Sequence, residues 1–248
     1  MDKYSRIDID FDFRSDTPDY PKKDPDAFSP TLRRYHKRLW SKRLPNGVVF
    51  SLDDTTRHYL HHRSDLGEFY LASDAVIPTF SREVRLTHII DTISGEEREA
   101  FYRIGYTIGG MMVFPAHRVG GKMTINGARG FHPRIKDRFD LTVECIRRHY
   151  CNEWSPLSGV LGRYTSFFDL FDDFRGYVEF FLLQDLVAED CSAVEFFTPF
   201  QDFTNSPLPA NIDAYRSYRE RAIKFIEARN CRILEATPRT EPPGTLAT

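Results

Sequence analysis

The spacing of apolar residues changes near Ile135, and that change limits the fold more than any motif in the 248 residues. Before it, apolar side chains tend to recur every second residue, the spacing of a half-buried strand. "IDIDFDF" sets Ile7, Ile9, Phe11 and Phe13 against Asp8, Asp10 and Asp12 and predicts an edge strand. "LPNGVVFSL" predicts an Asn46-Gly47 turn and a strand, "YLASDAVIPTF" an interrupted strand, and "GYTIGGMMVFP" a strand ending at Pro115. "KMTINGAR" reads as the antiparallel partner of that last strand, with "VGG" as the turn between them.

After Ile135 the spacing is helical. "IKDRFDLTVECIRRHY" places Ile135, Phe139, Val143, Ile146 and Tyr150 along one side. "RGYVEFFLLQDLV" continues the pattern, and "NIDAYRSYRERAIKFIEARN" predicts a final amphipathic helix behind an Asn cap. One early helix interrupts the strands: "SPTLRRYHKRLW" has Ser as cap and Pro at the first helical position. The expected class is α+β: an antiparallel, β-rich N-terminal half packed against a helical C-terminal half. The expected boundaries are a single domain over residues 1–235 and a disordered, Pro-rich tail over 236–248.

Charge is nearly balanced overall but unevenly distributed. Eight Lys/Arg face three acids between His117 and Tyr150, and nine acids face two Arg between Gly162 and Phe203. The apolar runs are too short for a membrane span, and no basic start followed by an apolar block marks a signal peptide. Cys145, Cys151, Cys191 and Cys231 lack zinc-finger spacing, so buried free thiols in a cytoplasmic protein are expected. His58, His61 and His62 cluster, but no H-E-x-x-H completes them, and no metal is expected. The sequence names no cofactor.

The chemistry concentrates in "GGKMTINGARGFHPRIKDRFD". Thr124 and Asn126 would share one face of the predicted strand. Gly127, Gly130, Arg129, Arg134 and Lys136 would add amides and cations suited to a phosphate. No P-loop or G-x-G-x-x-G is present, so a charged surface hairpin is the competing reading. On the following helix, Asp140 and Glu144 are the candidate general bases, or else members of an i,i+4 ion-pair ladder. Glu68, Ser73 and Asp74, around the strand break, are further catalytic candidates.

"SPTLRRYHKRLWSKRLPNG", "TINGARG", "DRFDLTVECIRRHY" and "GYVEFFLLQDLV" resemble an uncharacterised bacterial protein family from Ser29 to Arg232. The resemblance implies one cytoplasmic domain and transfers no catalytic residue.

The expected function is a nucleotide- or nucleic-acid-handling enzyme, a transferase or hydrolase, using the hairpin around Thr124–Arg129. The alternatives are a non-catalytic nucleotide or nucleic-acid binder and a module for an acidic protein partner. If Arg129 and Arg134 are saturated by the chain's own acids, the structural reading gains.

Overall fold

The Ser-Pro start at residue 29 builds the first long helix. In the computed structural model, which describes residues 6–55, 58–78, 80 and 83–237, Ser29 Oγ accepts the Leu32 N–H at 3.1 Å. Pro30 opens α2 (Pro30–Trp40), just after the single turn α1 (Pro25–Phe28). Gly47 then adopts a positive φ of 82° and joins β1 (Lys42–Arg43) to β2 (Val49–Phe50). β3 (Asp53–Asp54), β4 (Leu60–Ser64), β5 (Gly67–Ala75) and β6 (Met111–Pro115) form an antiparallel sheet in chain order. Its register places Leu60 opposite Leu71, His61 opposite Tyr70 and His62 opposite Phe69. Alternation therefore sends Leu60, His62, Phe69 and Leu71 into the core and leaves His61 and Tyr70 on the other face.

Between β5 and β6 lie α3 (Thr87–Ile90) and α4 (Gly95–Gly105). The remainder is helical: α5 (Ile125–Phe131), α6 (Phe139–Tyr150), α7 (Ser158–Leu161), α8 (Thr165–Phe168), α9 (Phe174–Phe181) and α10 (Ile212–Ala236). The fold is thus α+β in a single domain, with antiparallel sheets in the first half and helices in the second. Among the described residues no helix is long and apolar enough to cross a membrane. The tail beyond residue 237 lies outside the described residues.

Two predicted strands are not strands. Residues 7–13 run as turns because Asp8 and Asp12 each accept the backbone N–H two residues ahead, both at 3.0 Å. Such carboxylate turns compete with a ladder. "KMTINGAR" is mainly helix α5, capped by Thr124, whose Oγ1 accepts the Gly127 N–H at 3.4 Å. Ile125 and Arg129, four residues apart, both turn inward, and that burial outweighs the poor helix propensity of two internal glycines. There is accordingly no hairpin over 107–130. Of the cysteines, only Cys145 is buried, Cys191 is half-buried, and Cys151 and Cys231 are exposed.

The helical half is tied to the sheet through "TIGG". Gly109 donates its N–H to Asn230 Oδ1 of α10 at 2.7 Å. A Cβ on Gly109 would lie 2.5 Å from the Ile226 carbonyl oxygen, so only glycine allows α10 this close. One residue along α10, the buried Arg229 donates to the carbonyls of Gly109 (2.9 Å), Met111 (2.8 Å) and Phe181 (3.0 Å).

His36 sits on the inner side of this arrangement. Trp40 Nε1–H donates to His36 Nδ1 at 3.0 Å, and a Trp N–H can only donate. The His36 proton is therefore on Nε2, directed at Ser73 Oγ 3.0 Å away. Burial, reinforced by the Arg229 charge, pushes its pKa down from 6.5 to about 3. The folded chain keeps His36 neutral while the unfolded chain binds a proton below about 6.5. Its contribution is complete above that value and is lost as pH falls towards 3, at about 1.4 kcal/mol per pH unit. The urea-unfolding gap between wild type and His36→Gln is therefore expected to narrow by about 2 kcal/mol between pH 7 and pH 5. A gap that stays constant over that range would contradict this role.

Candidate ligand-binding cleft

The outward face of β4 and β5 is one wall of a cleft of about 890 Å³. His61, Tyr70 and Ala72 line it from the sheet, and Tyr59 lines it from just before β4. Ala116, His117 and Arg118 close it after β6, and Thr124 and Asn126 come from the start of α5. Asp54 and Thr55 complete the rim. Burial would raise the Asp54 carboxyl, but hydrogen bonds from Lys37 and Arg33 outweigh it and hold the pKa below the usual range.

Asn126 has a fixed orientation. Its Nδ2 donates to the Ser73 carbonyl at 3.2 Å, so Oδ1 faces the other way. That oxygen is buried and has no hydrogen-bond partner among the described residues. A buried acceptor left unpaired costs about 1–3 kcal/mol, which a ligand N–H would remove. His117 Nδ1 is likewise buried and unpartnered. The carbonyl of His117 accepts from Tyr164 O–H at 2.7 Å, its ring meets the Tyr164 ring edge-on, and burial lowers its pKa. Arg118 is exposed and makes no ion pair within the described residues.

On the sheet wall, Glu68 Oε1 lies 2.7 Å from His61 Nε2 and accepts the Tyr70 O–H at 3.1 Å. These hydrogen bonds, chiefly the one from His61, lower the Glu68 pKa. The His61 ring stacks on Tyr70 with centroids 4.6 Å apart.

Of the residues expected from sequence to form a site, only Thr124 and Asn126 line this cleft. Arg129 is fully buried. Its Nη1 pairs with Asp74 at 2.6 Å and Asp137 at 3.0 Å, and its Nε donates to Thr142 Oγ1 at 3.2 Å. With Nη2 on the Asp137 carbonyl at 2.9 Å, each of its three nitrogens is engaged inside the protein, and the structural reading holds for this residue. Arg134 is exposed outside the cleft, and Lys136 pairs with Glu83 at 2.7 Å.

The two expected general bases are also elsewhere. Asp140 is buried against Arg138, whose Nε lies 3.0 Å from Oδ1, and it accepts the Phe197 N–H at 2.9 Å. Glu144 pairs with Arg147 at 2.8 Å and Arg148 at 2.6 Å, which makes it part of an ion-pair ladder. Neither carboxylate lines the cleft. Sequence reasoning missed Tyr59, Tyr70, His117 and Arg118. For Tyr70, the available signal was polar alternation in "GEFYLAS", which marks a solvent-side face.

His61 and His62 point to opposite sheet faces. His62 is buried between the Ser51 carbonyl (2.8 Å) and Ser64 Oγ (2.9 Å). Among the described residues, no group of three or more His, Cys, Asp or Glu is placed to hold a metal ion.

Removing the Arg129 guanidinium leaves Asp74 and the Asp137 carbonyl without their partner. Arg129→Met is expected to cost about 3–5 kcal/mol in chemical denaturation, as for breaking a buried ion pair. A loss below about 1 kcal/mol would show that the site is not a buried network.

No curated protein and no solved structure matches the chain. Residues 7–233, nearly the whole of the described fold, match the family of unknown function DUF6994, and the chain belongs to that family.

Proposed function

We propose that the cleft binds a nucleotide and that the chain is a nucleotide-handling enzyme, a transferase or hydrolase. The observation that carries this reading is the buried Oδ1 of Asn126, unpartnered among the described residues, in a cleft that also holds aromatic rings and the exposed Arg118. Asn126 spends one Nδ2–H on Ser73 and has a second Nδ2–H and the Oδ1 acceptor besides. That donor-acceptor pair matches the edge of adenine, which Asn recognises through the N6 amino group and N7. Tyr59 supplies a ring face on which a base can stack. The Arg118 guanidinium suits a phosphate, and the Thr124 hydroxyl still has its proton to donate.

The alternative of an acidic protein partner finds little support. Arg129, Lys136, Arg138, Arg147 and Arg148 each contact a carboxylate of their own chain.

A ligand at a hundred times its Kd stabilises the folded state by about 2.7 kcal/mol. For a chain of this size that raises Tm by about 5–10 °C. Adenine nucleotides are expected to produce such a rise with wild type, a much smaller one with Asn126→Leu, and a reduced one with Arg118→Ala. No rise with any common nucleotide at millimolar concentration would sink the proposal.

A further inference from the structure

Resting on the reading of the cleft as a site for a phosphate ester, we propose that His61, oriented by Glu68, is its general base and that the chain hydrolyses the bound ester. The Glu68 carboxylate can only accept hydrogen bonds, so the proton of neutral His61 lies on Nε2, 2.7 Å from Glu68 Oε1. Nδ1 is then left with its lone pair. Tyr70 holds the ring directly by stacking on the imidazole at an interplanar angle of 24°, and holds its partner by donating its hydroxyl to the same Glu68 oxygen. His61 and Tyr70 are direct cross-strand partners in β4 and β5, and Glu68 lies two residues before Tyr70 on the same face. The base is therefore held by strands, the rigid kind of support that catalytic geometry requires.

Other histidines near the sheet lack this arrangement. His36 uses one nitrogen on Trp40 and the other on Ser73. His62 uses both, on Ser51 and Ser64. His61 combines a carboxylate on one nitrogen, an unspent second nitrogen and a place in the cleft wall. A base oriented by a third group is the recurrent form of an activated site.

The step balances without a further reactant. Nδ1 takes a proton from water as the water oxygen bonds to phosphorus, and the ester P–O bond breaks. The departing oxygen, in line on the far side of phosphorus, takes its proton from solvent water, and the imidazolium releases its own proton to solvent. Phosphate and alcohol leave, and His61 is neutral again. Arg118, which also lines the cleft, offsets charge on the phosphoryl oxygens.

The test uses the full chain with bis(p-nitrophenyl) phosphate, p-nitrophenyl phosphate, ATP and AMP as substrates. Wild type, His61→Asn, Glu68→Gln and Glu68→Asp are compared, with melting temperatures recorded for each. A positioned general base contributes about 100-fold or more, so His61→Asn is expected to lower kcat by at least that factor. Glu68→Gln should lower kcat about tenfold with KM little changed, and Glu68→Asp should recover part of the loss. If His61→Asn fails to fold, the kcat-against-KM split in the Glu68 variants decides the question.

Turnover that survives His61→Asn, or no cleavage of any of these esters by wild type, overturns the proposal. A nucleotide that stabilises the chain yet stays intact overturns the catalytic role and leaves the binding reading standing. Conversely, His61-dependent cleavage of the nitrophenyl esters with no stabilisation by nucleotides supports the base and rejects the nucleotide.

Discussion

Arg229 is a fully buried cation with no carboxylate beside it among the described residues, and the joining of the two halves depends on it. Burial pushes its pKa down to about 10, so it stays charged at neutral pH. A bare charge at that depth would be very costly, and the fold meets the cost with carbonyl oxygens instead of an acid. Those oxygens are ones the backbone leaves unpaired. Phe181 ends a helix, Gly109 lies in a tight turn, and Met111 begins β6. One side chain of α10 thus supplies the donors that three chain segments lack. The same charge works against neighbouring protons: after burial itself, it is the next cause of the lowered pKa values of His36 and Lys42.

The sheet passes this order on to the cleft through Ser73. Its carbonyl receives Asn126 and its hydroxyl faces His36, which is in turn held by Trp40. The cleft amide and the core indole are therefore linked through one residue of β5. Arg129 secures the other side by holding α5 to Asp74 at the end of the same strand. Buried Arg side chains organise both connections, and exposed Arg118 is left to the solvent side.

Legibility in the sequence followed the range of the interactions that decide each element. Pro30 behind Ser29, and Asn211 before α10, act within a single turn, so those helix starts could be read directly. "IDIDFDF" misled because its aspartates satisfy their own backbone, which periodicity ignores. "KMTINGAR" misled because its helix depends on an Arg129 whose partner Asp74 lies 55 positions earlier. The same limit governed the cleft. Thr124 and Asn126 stood out as small polar residues among glycines, and both line the cleft. The cations around them were assigned to a ligand although most were matched to acids of their own chain, some far away in sequence. His61 and Glu68 drew notice separately, but only the β4–β5 register brings them together.

The two tryptophans occupy opposite environments. Trp40 is completely buried, packed near Phe180 and Phe181 with the Arg229 guanidinium 5.8 Å from its ring, whereas Trp154 is 64% exposed. Trp154 emits from a largely aqueous setting whether or not the chain is folded. Any blue-shifted component of the intrinsic fluorescence therefore comes from Trp40. That indole donates to His36, which faces the residue whose carbonyl holds Asn126. The protein thus carries its own optical reporter, buried at the junction of its two halves and three hydrogen bonds from the cleft.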